Sequence, residues 1–349
     1  MKNKPSCFGA GLVALDVILN GNPFTLPKLS VGGSCGNVLS ILSYLGWNSY
    51  PVARLASDQA AAELIHDLNR WHVHINHISI SDDGSTPIII HRILKDKIGK
   101  PIHRFEFRDP ETKAWLPQFK AITKNIASEV IGKNIQPNIF YLDRMNPGTF
   151  ELAKYLKSKG TVIFFEPSSN KDEGQFEKFL SLADIVKFSH ERIGDFKERY
   201  NNITCYLEIE TRGKEGLVYR TKKSGNPHQW KRLAGFPVTN IQDTAGAGDW
   251  CTSGIIHSLF ANDETHLSDI GVLNLEKAMR FGQALGALNC FYDGARGLMY
   301  YYEHQKLVLT AERFITEKII DPKSLASSPK IDISSQKRFS ELLMPVNLV

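Results

Sequence analysis

Short apolar runs alternating with helical stretches predict an α/β fold, with a parallel sheet covered by helices on both faces. The runs at 8–14, 50–56, 138–143, 161–166, 184–188 and 203–209 have the length and composition of buried strands. Between the first two, Val38, Leu39, Ile41, Leu42 and Leu45 recur at helical spacing from Ser34, and Gly46 stops the helix. Ser57 is placed to cap a second helix whose Ala61, Leu64, Ile65 and Leu68 share one face. Further helices are expected over 149–159, ended by Gly160, and over 275–291. One segment breaks the alternation. Thr86–Leu94 and Pro101–Phe107 are extended runs joined by Lys95-Asp96-Lys97-Ile98-Gly99-Lys100, whose glycine and charges suit a hairpin turn. From Asp321 onward the chain is rich in Ser and Lys and reads as an extension, either flexible or laid over the surface.

Composition narrows the function classes. With 349 residues, 42% hydrophobic and 23% charged, the chain reads as soluble and can bury a large core. Its net charge of +5 comes from dispersed basic residues, so small anionic substrates suffice and nucleic acid is not expected as a partner. The five cysteines are odd in number and lack CxxC spacing, which argues against a disulfide framework or a cysteine zinc site and suits a reducing cytoplasm. Lys2 and Lys4 precede an apolar stretch, but Asp16 interrupts it, so a buried strand is expected rather than a signal peptide. No run is long enough to span a bilayer, and no membrane partner is expected.

The most informative stretch is Asp243-Thr244-Ala245-Gly246-Ala247-Gly248-Asp249, which leads into an apolar helix containing Gly254. Small residues form a turn, and the amides that open a helix attract anionic oxygens because they lack intrahelical acceptors. A carboxylate there would repel a phosphate unless it had another task. The simplest task is that of a base, with Asp249 taking a proton from a hydroxyl while the amides of Gly246, Ala247 and Gly248 hold the transferring phosphoryl group. That chemistry is a kinase's. Earlier in the chain, Gly32-Gly33-Ser34-Cys35-Gly36-Asn37 precedes the first helix. Its glycines admit a ligand to the backbone, Asn37 offers a donor and an acceptor, and Asp16 can accept hydrogen bonds from two hydroxyls.

Preceded by Leu233-Ala234-Gly235-Phe236-Pro237-Val238, the Asp243–Asp249 stretch resembles the second signature of the PfkB (ribokinase-like) carbohydrate kinase family. The resemblance extends over roughly residues 7–320 and implies a three-layer α/β/α sandwich with a mostly parallel sheet. It also implies a small β lid inserted at about 17–31 and 86–108, a kinase domain over 1–320 and an extension over 321–349. ATP with Mg2+ would supply the phosphoryl group, and a sugar would accept it. Asp249 would be the general base, Gly246–Gly248 the anion hole, and Asp16, Gly32, Gly33 and Asn37 the acceptor site. Thr211, Gly213 and Gly216 would lie beside the nucleotide, and Asn289, within the Ala284–Cys290 segment before Gly294-Ala295, would belong to the adenine pocket. Family members often bind K+ near the start of this motif, making Asp243 and Ala245 candidate ligands through their oxygens. The family's lid also joins homodimers. Two departures stand out: Ser189 and Arg192 replace the ends of the family's Asn-x-x-Glu, and Glu166-Pro167-Ser168 replaces its Asp-Pro-Asn.

Other patterns fail their context. Gly32-Gly33-Ser34-Cys35-Gly36 satisfies G-x-S-x-G, but Pro23 and Pro27 precede it where a hydrolase needs a strand. Gly9-Ala10-Gly11-Leu12-Val13-Ala14 mimics a dinucleotide fingerprint inside an apolar run where no helix should start. No P-loop exists, because each Gly-Lys pair lacks the following hydroxyl. His66, His72, His74 and His77 bracket a helix end and the expected strand at 73–80, without a carboxylate or thiolate at ligand spacing. Two alternatives to a sugar kinase remain: a nucleoside kinase of the same fold, and a non-catalytic sugar- or nucleotide-sensing protein.

Overall fold

The central strands of this computed structural model are apolar along their length because both faces of the sheet are covered. The structure describes residues 4–19, 26–95, 101–223, 229–261, 266–331 and 339–344. The strands are β1 (Ser6–Ala10), β2 (Ala14–Leu19), β3 (Lys28–Gly32), β4 (Asn48–Leu55), β5 (Ile78–Ile80), β6 (Ile88–Lys95) and β7 (Pro101–Glu106), followed by β8 (Ile139–Leu142), β9 (Val162–Phe165), β10 (Ile185–Ser189), β11 (Leu207–Thr211), β12 (Leu217–Thr221) and β13 (Lys231–Leu233). The helices are α1 (Ser34–Tyr44), α2 (Gln59–Arg70), α3 (Lys124–Gly132), α4 (Pro147–Ser158), α5 (Glu173–Leu182), α6 (Phe196–Arg199), α7 (Ala247–Phe260), α8 (Val272–Asn289), α9 (Gly297–Tyr301) and α10 (His304–Glu317).

The large sheet runs β13-β12-β11-β10-β9-β8-β1-β4-β5 and is parallel except at β12 and β13. Alternation along β8 feeds two cores. Ile139 and Tyr141 pack on the side of α1, α2, α7 and α8, whereas Phe140 and Leu142 pack on the side of α3, α4 and α5. These layers are the expected α/β/α sandwich. β1 lies between β4 and β8, so the strand order turns there. In open α/β sheets, ligands collect beyond the carboxyl ends of the strands at such a switch point.

A second sheet, ordered β3-β2-β6-β7, contains the segment that breaks the alternation. Its β6 and β7 are antiparallel and tied by Arg92 and Glu106 at 3.0 Å. All but the first residue of the expected 95–100 turn lies outside the described residues.

The run at 8–14 is two strands rather than one. The first ends at Ala10, because Gly11 passes so close to Asp143 that a Cβ would lie 1.6 Å from its Oδ1. The Leu12 amide donates to that same oxygen at 2.9 Å, and Ala14 then enters the second sheet opposite Gly32. That sheet therefore begins three residues before the expected 17. The run at 203–209 becomes strand only at Leu207, because the Thr204 amide and hydroxyl both bond to Glu208 at 2.9 Å. Likewise, 73–80 contributes only β5. The cap of α2 is Asp58 rather than Ser57, with Asp58 Oδ1 accepting from the Ala61 amide at 2.7 Å. His74 and His77 stack on or near Tyr50.

The described part of the C-terminal extension is ordered against the body. The Tyr292 hydroxyl donates to the Ala326 carbonyl at 3.0 Å, and the Gln59 amide donates to that of Met344 at 3.0 Å. Among the described residues, no helix is long and apolar enough to cross a membrane. Leu342 is fully buried. Leu342→Ala is therefore expected to lower the unfolding free energy by about 2–5 kcal/mol in a denaturant titration. An unchanged midpoint would mean that the extension does not dock.

Candidate active site

Two helix starts meet beyond the carboxyl ends of the parallel strands. Asn37, in the first turn of α1, donates from Nδ2 to Asp249 Oδ2, in the first turn of α7, at 2.7 Å. Asn37 is 4% exposed, and its Oδ1 is buried with no hydrogen-bond partner. Such an acceptor is paired in most native structures. Asp249 is half-buried. Burial first, then the Glu166 carboxylate, pushes its carboxyl up to about 8, against the opposing Asn37 hydrogen bond and Lys187 charge. A base near the working pH is the effective one for abstracting a proton.

The turn before α7 takes its shape from glycine. Gly246 has φ 72°, and a Cβ there would lie 2.0 Å from the Ala295 carbonyl oxygen. Of the three amides assigned to the anion hole, that of Ala247 donates to the Thr244 carbonyl at 3.3 Å. The amides of Gly246 and Gly248 have no backbone acceptor among the described residues, and Gly248 is exposed. Of the three amides expected to hold phosphate, those two are the ones without a backbone acceptor. Behind it, α7 lies close on α8: a Cβ at Gly254 would meet Gly282 Cα at 2.7 Å, and one at Gly286 would meet the Ala247 carbonyl at 2.6 Å.

A buried ion pair supports this turn from the sheet side. Lys187, 1% exposed in the middle of β10, donates to Glu166 Oε1 at 2.5 Å and to the Gly248 carbonyl at 3.3 Å. Glu166 Oε2 accepts from Thr252 at 2.6 Å and from Tyr141 at 3.2 Å. Sequence reasoning missed Lys187. Its signal was a lysine in the otherwise apolar Ile185-Val186-Lys187-Phe188.

Asp16 lies on β2 with its carboxyl stacked directly over Gly32, where a Cβ would come within 2.0 Å of it. Gly32 is required for that placement. Burial raises the Asp16 carboxyl to about 7, with Arg296 opposing the shift and Asp243 adding to it. Gly33, at φ 75°, caps α1 with its Cα against the Leu12 carbonyl.

Asp243 braces the whole turn. Its Oδ1 accepts from the Ala245 amide at 2.8 Å and its Oδ2 from the Gly294 amide at 2.9 Å, with His91 Nε2 of β6 at 3.7 Å. The Ala245 carbonyl accepts from Asn289 Nδ2 at 2.9 Å. These oxygens already hold the turn through protein donors, and a monovalent cation bound to them would add to that set rather than create it. The Asn289 side chain, expected beside the nucleotide, is fully buried and bonds Ala245, Gly294 and Leu298. Thr211, Gly213 and Gly216 lie at the end of β11, where Gly213 and Gly216 have φ 54° and 98°. Among the described residues, no group of three or more His, Cys, Asp or Glu could hold a metal ion.

The raised Asp249 carboxyl has a consequence for stability. Between its ordinary value of 3.8 and about 8, the folded state binds the extra proton. Ionising it as the pH rises through that window therefore destabilises the fold. Asp249→Asn removes the penalty and keeps an acceptor for Asn37. Its melting midpoint relative to wild type should climb from about pH 5 to about pH 8; a constant difference would contradict this placement.

A family model described as pfkB family carbohydrate kinase matches residues 24–299. A fructokinase of Salmonella typhimurium is 25% identical over 297 residues, 77% of this chain and 89% of that protein. Among solved structures, an ATP-bound fructokinase from Xylella fastidiosa has a TM-score of 0.67 at 18% identity, covering 90% of this chain and all of that one. A fructokinase double mutant from Vibrio cholerae, bound to fructose, ADP and potassium, has a TM-score of 0.62 at 18% identity, covering 86% and 96%. At these identities the two structural likenesses speak to fold alone.

Proposed function

The chain belongs to the pfkB family of carbohydrate kinases, and from that premise we propose how its residues divide the transfer of a phosphoryl group from ATP to a sugar hydroxyl. The observation that carries the proposal is the half-buried Asp249, near neutrality in its titration and beside two amides without backbone acceptors. Asp249 takes the proton of the acceptor hydroxyl, and the resulting alkoxide attacks the γ-phosphorus in line with the departing ADP oxygen. The Gly246 and Gly248 amides and the start of α7 stabilise charge developing on the phosphoryl oxygens. Such donors are each worth on the order of 3–4 kcal/mol.

Asp16 and Asn37 orient the sugar, with Gly32 and Gly33 letting it approach the backbone. Thr211, Gly213 and Gly216 face the nucleotide from the end of β11. Magnesium, bound with the ATP phosphates, would help to neutralise their charge. Potassium at Asp243 and Ala245 would stiffen the turn they already form. The second sheet acts as a lid that excludes water from the transfer. Its open β7 edge, with Phe105 and Phe107 exposed, supports a homodimer joined there. All five cysteines are free and buried, as suits a reducing cytoplasm. The fructokinase relatives make a ketohexose the first acceptor to test.

ADP release should depend on a free sugar in a panel of ketoses, aldoses and nucleosides, each assayed with and without potassium. Asp249→Asn should bind ATP and sugar as wild type does and turn over about 10²–10⁴-fold more slowly. Near-wild-type turnover in that variant would refute Asp249 as the base, and a response to nucleosides alone would move the acceptor class.

A further inference from the structure

We propose that Arg296 is a specificity residue of the acceptor pocket, fitting it to an uncharged polyhydroxyl sugar and against sugar phosphates and sugar acids. The proposal rests on the reading of Asp16 as an acceptor ligand. Arg296 follows Gly294 and Ala295, whose backbone meets Asp243 and Gly246, so one short loop joins the phosphate turn to the acceptor pocket. Its side chain is 1% exposed. Nη2 donates to Asp67 Oδ2, whereas Nε and Nη1 are buried without partners. A guanidinium offers five donors in a fixed fork, and leaving them unmet in the interior is costly. These nitrogens therefore mark a place where ligand or water oxygens belong.

The surroundings identify the ligand chemistry. Asp67 Oδ2 also accepts from the Val31 amide at 2.8 Å, and the next residue, Gly32, lies beneath the Asp16 carboxyl. Arg296, Asp67, Val31, Gly32 and Asp16 thus form one continuous wall. The formal charge on that wall is not positive. Asp16 of β2, Asp67 of α2 and Asp243 before α7 outnumber Arg296 and Arg70, the latter 3.1 Å from Asp67 Oδ1. No surplus positive field remains for a phosphate or carboxylate. The hydrogen-bonding pattern is mixed instead: Asp16 and Asn37 Oδ1 accept, and Arg296 donates. Sugar hydroxyls, which do both, match it.

Fructose affinity, measured by calorimetry without nucleotide, tests the proposal in Arg296→Met, in the double variant Arg296→Met/Asp67→Asn, and in Asp16→Asn. The double variant leaves no uncompensated Asp67 and so separates loss of recognition from loss of folding. Both Arg296 variants should bind fructose about tenfold or more weakly, with the KM for ATP within about twofold of wild type. Wild type should use fructose in strong preference to fructose 6-phosphate. Weakened binding in Asp16→Asn beside unchanged binding in both Arg296 variants overturns the role of Arg296 alone. Unchanged binding in Asp16→Asn overturns the pocket assignment and this proposal with it. A parallel rise in the KM for ATP, or equal use of fructose 6-phosphate, also overturns it.

Discussion

The hydrogen bond from Asn37 to Asp249 joins residues 212 positions apart in sequence and fixes the relation between the two helix starts on which the proposed chemistry depends. One helix comes from the first crossover of the sheet and the other from the last third of the chain. Their meeting puts a carboxylate at the mouth of α7 beside amides that attract phosphate. The arrangement is electrostatically uncomfortable. Burial first, then Glu166 and Asp143, raises the proton affinity of Asp249, against the Asn37 hydrogen bond and the Lys187 charge. A fold optimised for stability alone would neutralise that group. Stored discomfort of this kind is characteristic of functional sites.

Much of the surrounding structure prevents that group from relaxing. Lys187 holds the Gly248 carbonyl from one side, Asp243 and Asn289 hold the turn from the other, and α8 supports α7 through closely approaching glycines. Each brace comes from a different part of the chain. The site is consequently rigid where charge must be placed. The second sheet, by contrast, joins the large one through short connections such as Gly11–Val13. It also contributes Asp16 and, through His91, a side chain beside Asp243. Closure of that sheet would therefore bear on the acceptor and on the phosphate turn together.

The layers of the fold were legible in the sequence because buried parallel strands are written as unbroken apolar runs. The Asp243–Asp249 turn was legible because few other tasks need two glycines and two acids so close together. What escaped was set by tertiary approach. The break at Gly11 depends on an Asp143 carboxylate 132 residues away, which no local pattern records. Asn289 read as a nucleotide contact because its position along the chain was suitable, but its orientation depends on carbonyls at 245 and 294. Ala247 read as an anion donor because it lies within the turn, whereas its amide closes the turn. The charged partners Lys187 with Glu166 and Arg296 with Asp67 lie in segments that spacing alone treats as ordinary core or loop.

A crystal structure with fructose and a non-hydrolysable ATP analogue bound together tests the role of Asp249 most directly. One sugar hydroxyl should lie within hydrogen-bonding distance of Asp249 and in line with the γ-phosphorus, with a γ-phosphate oxygen on the Gly246 and Gly248 amides. A sugar bound with its nearest hydroxyl beyond reach of Asp249, or phosphates lying away from that turn, would contradict it.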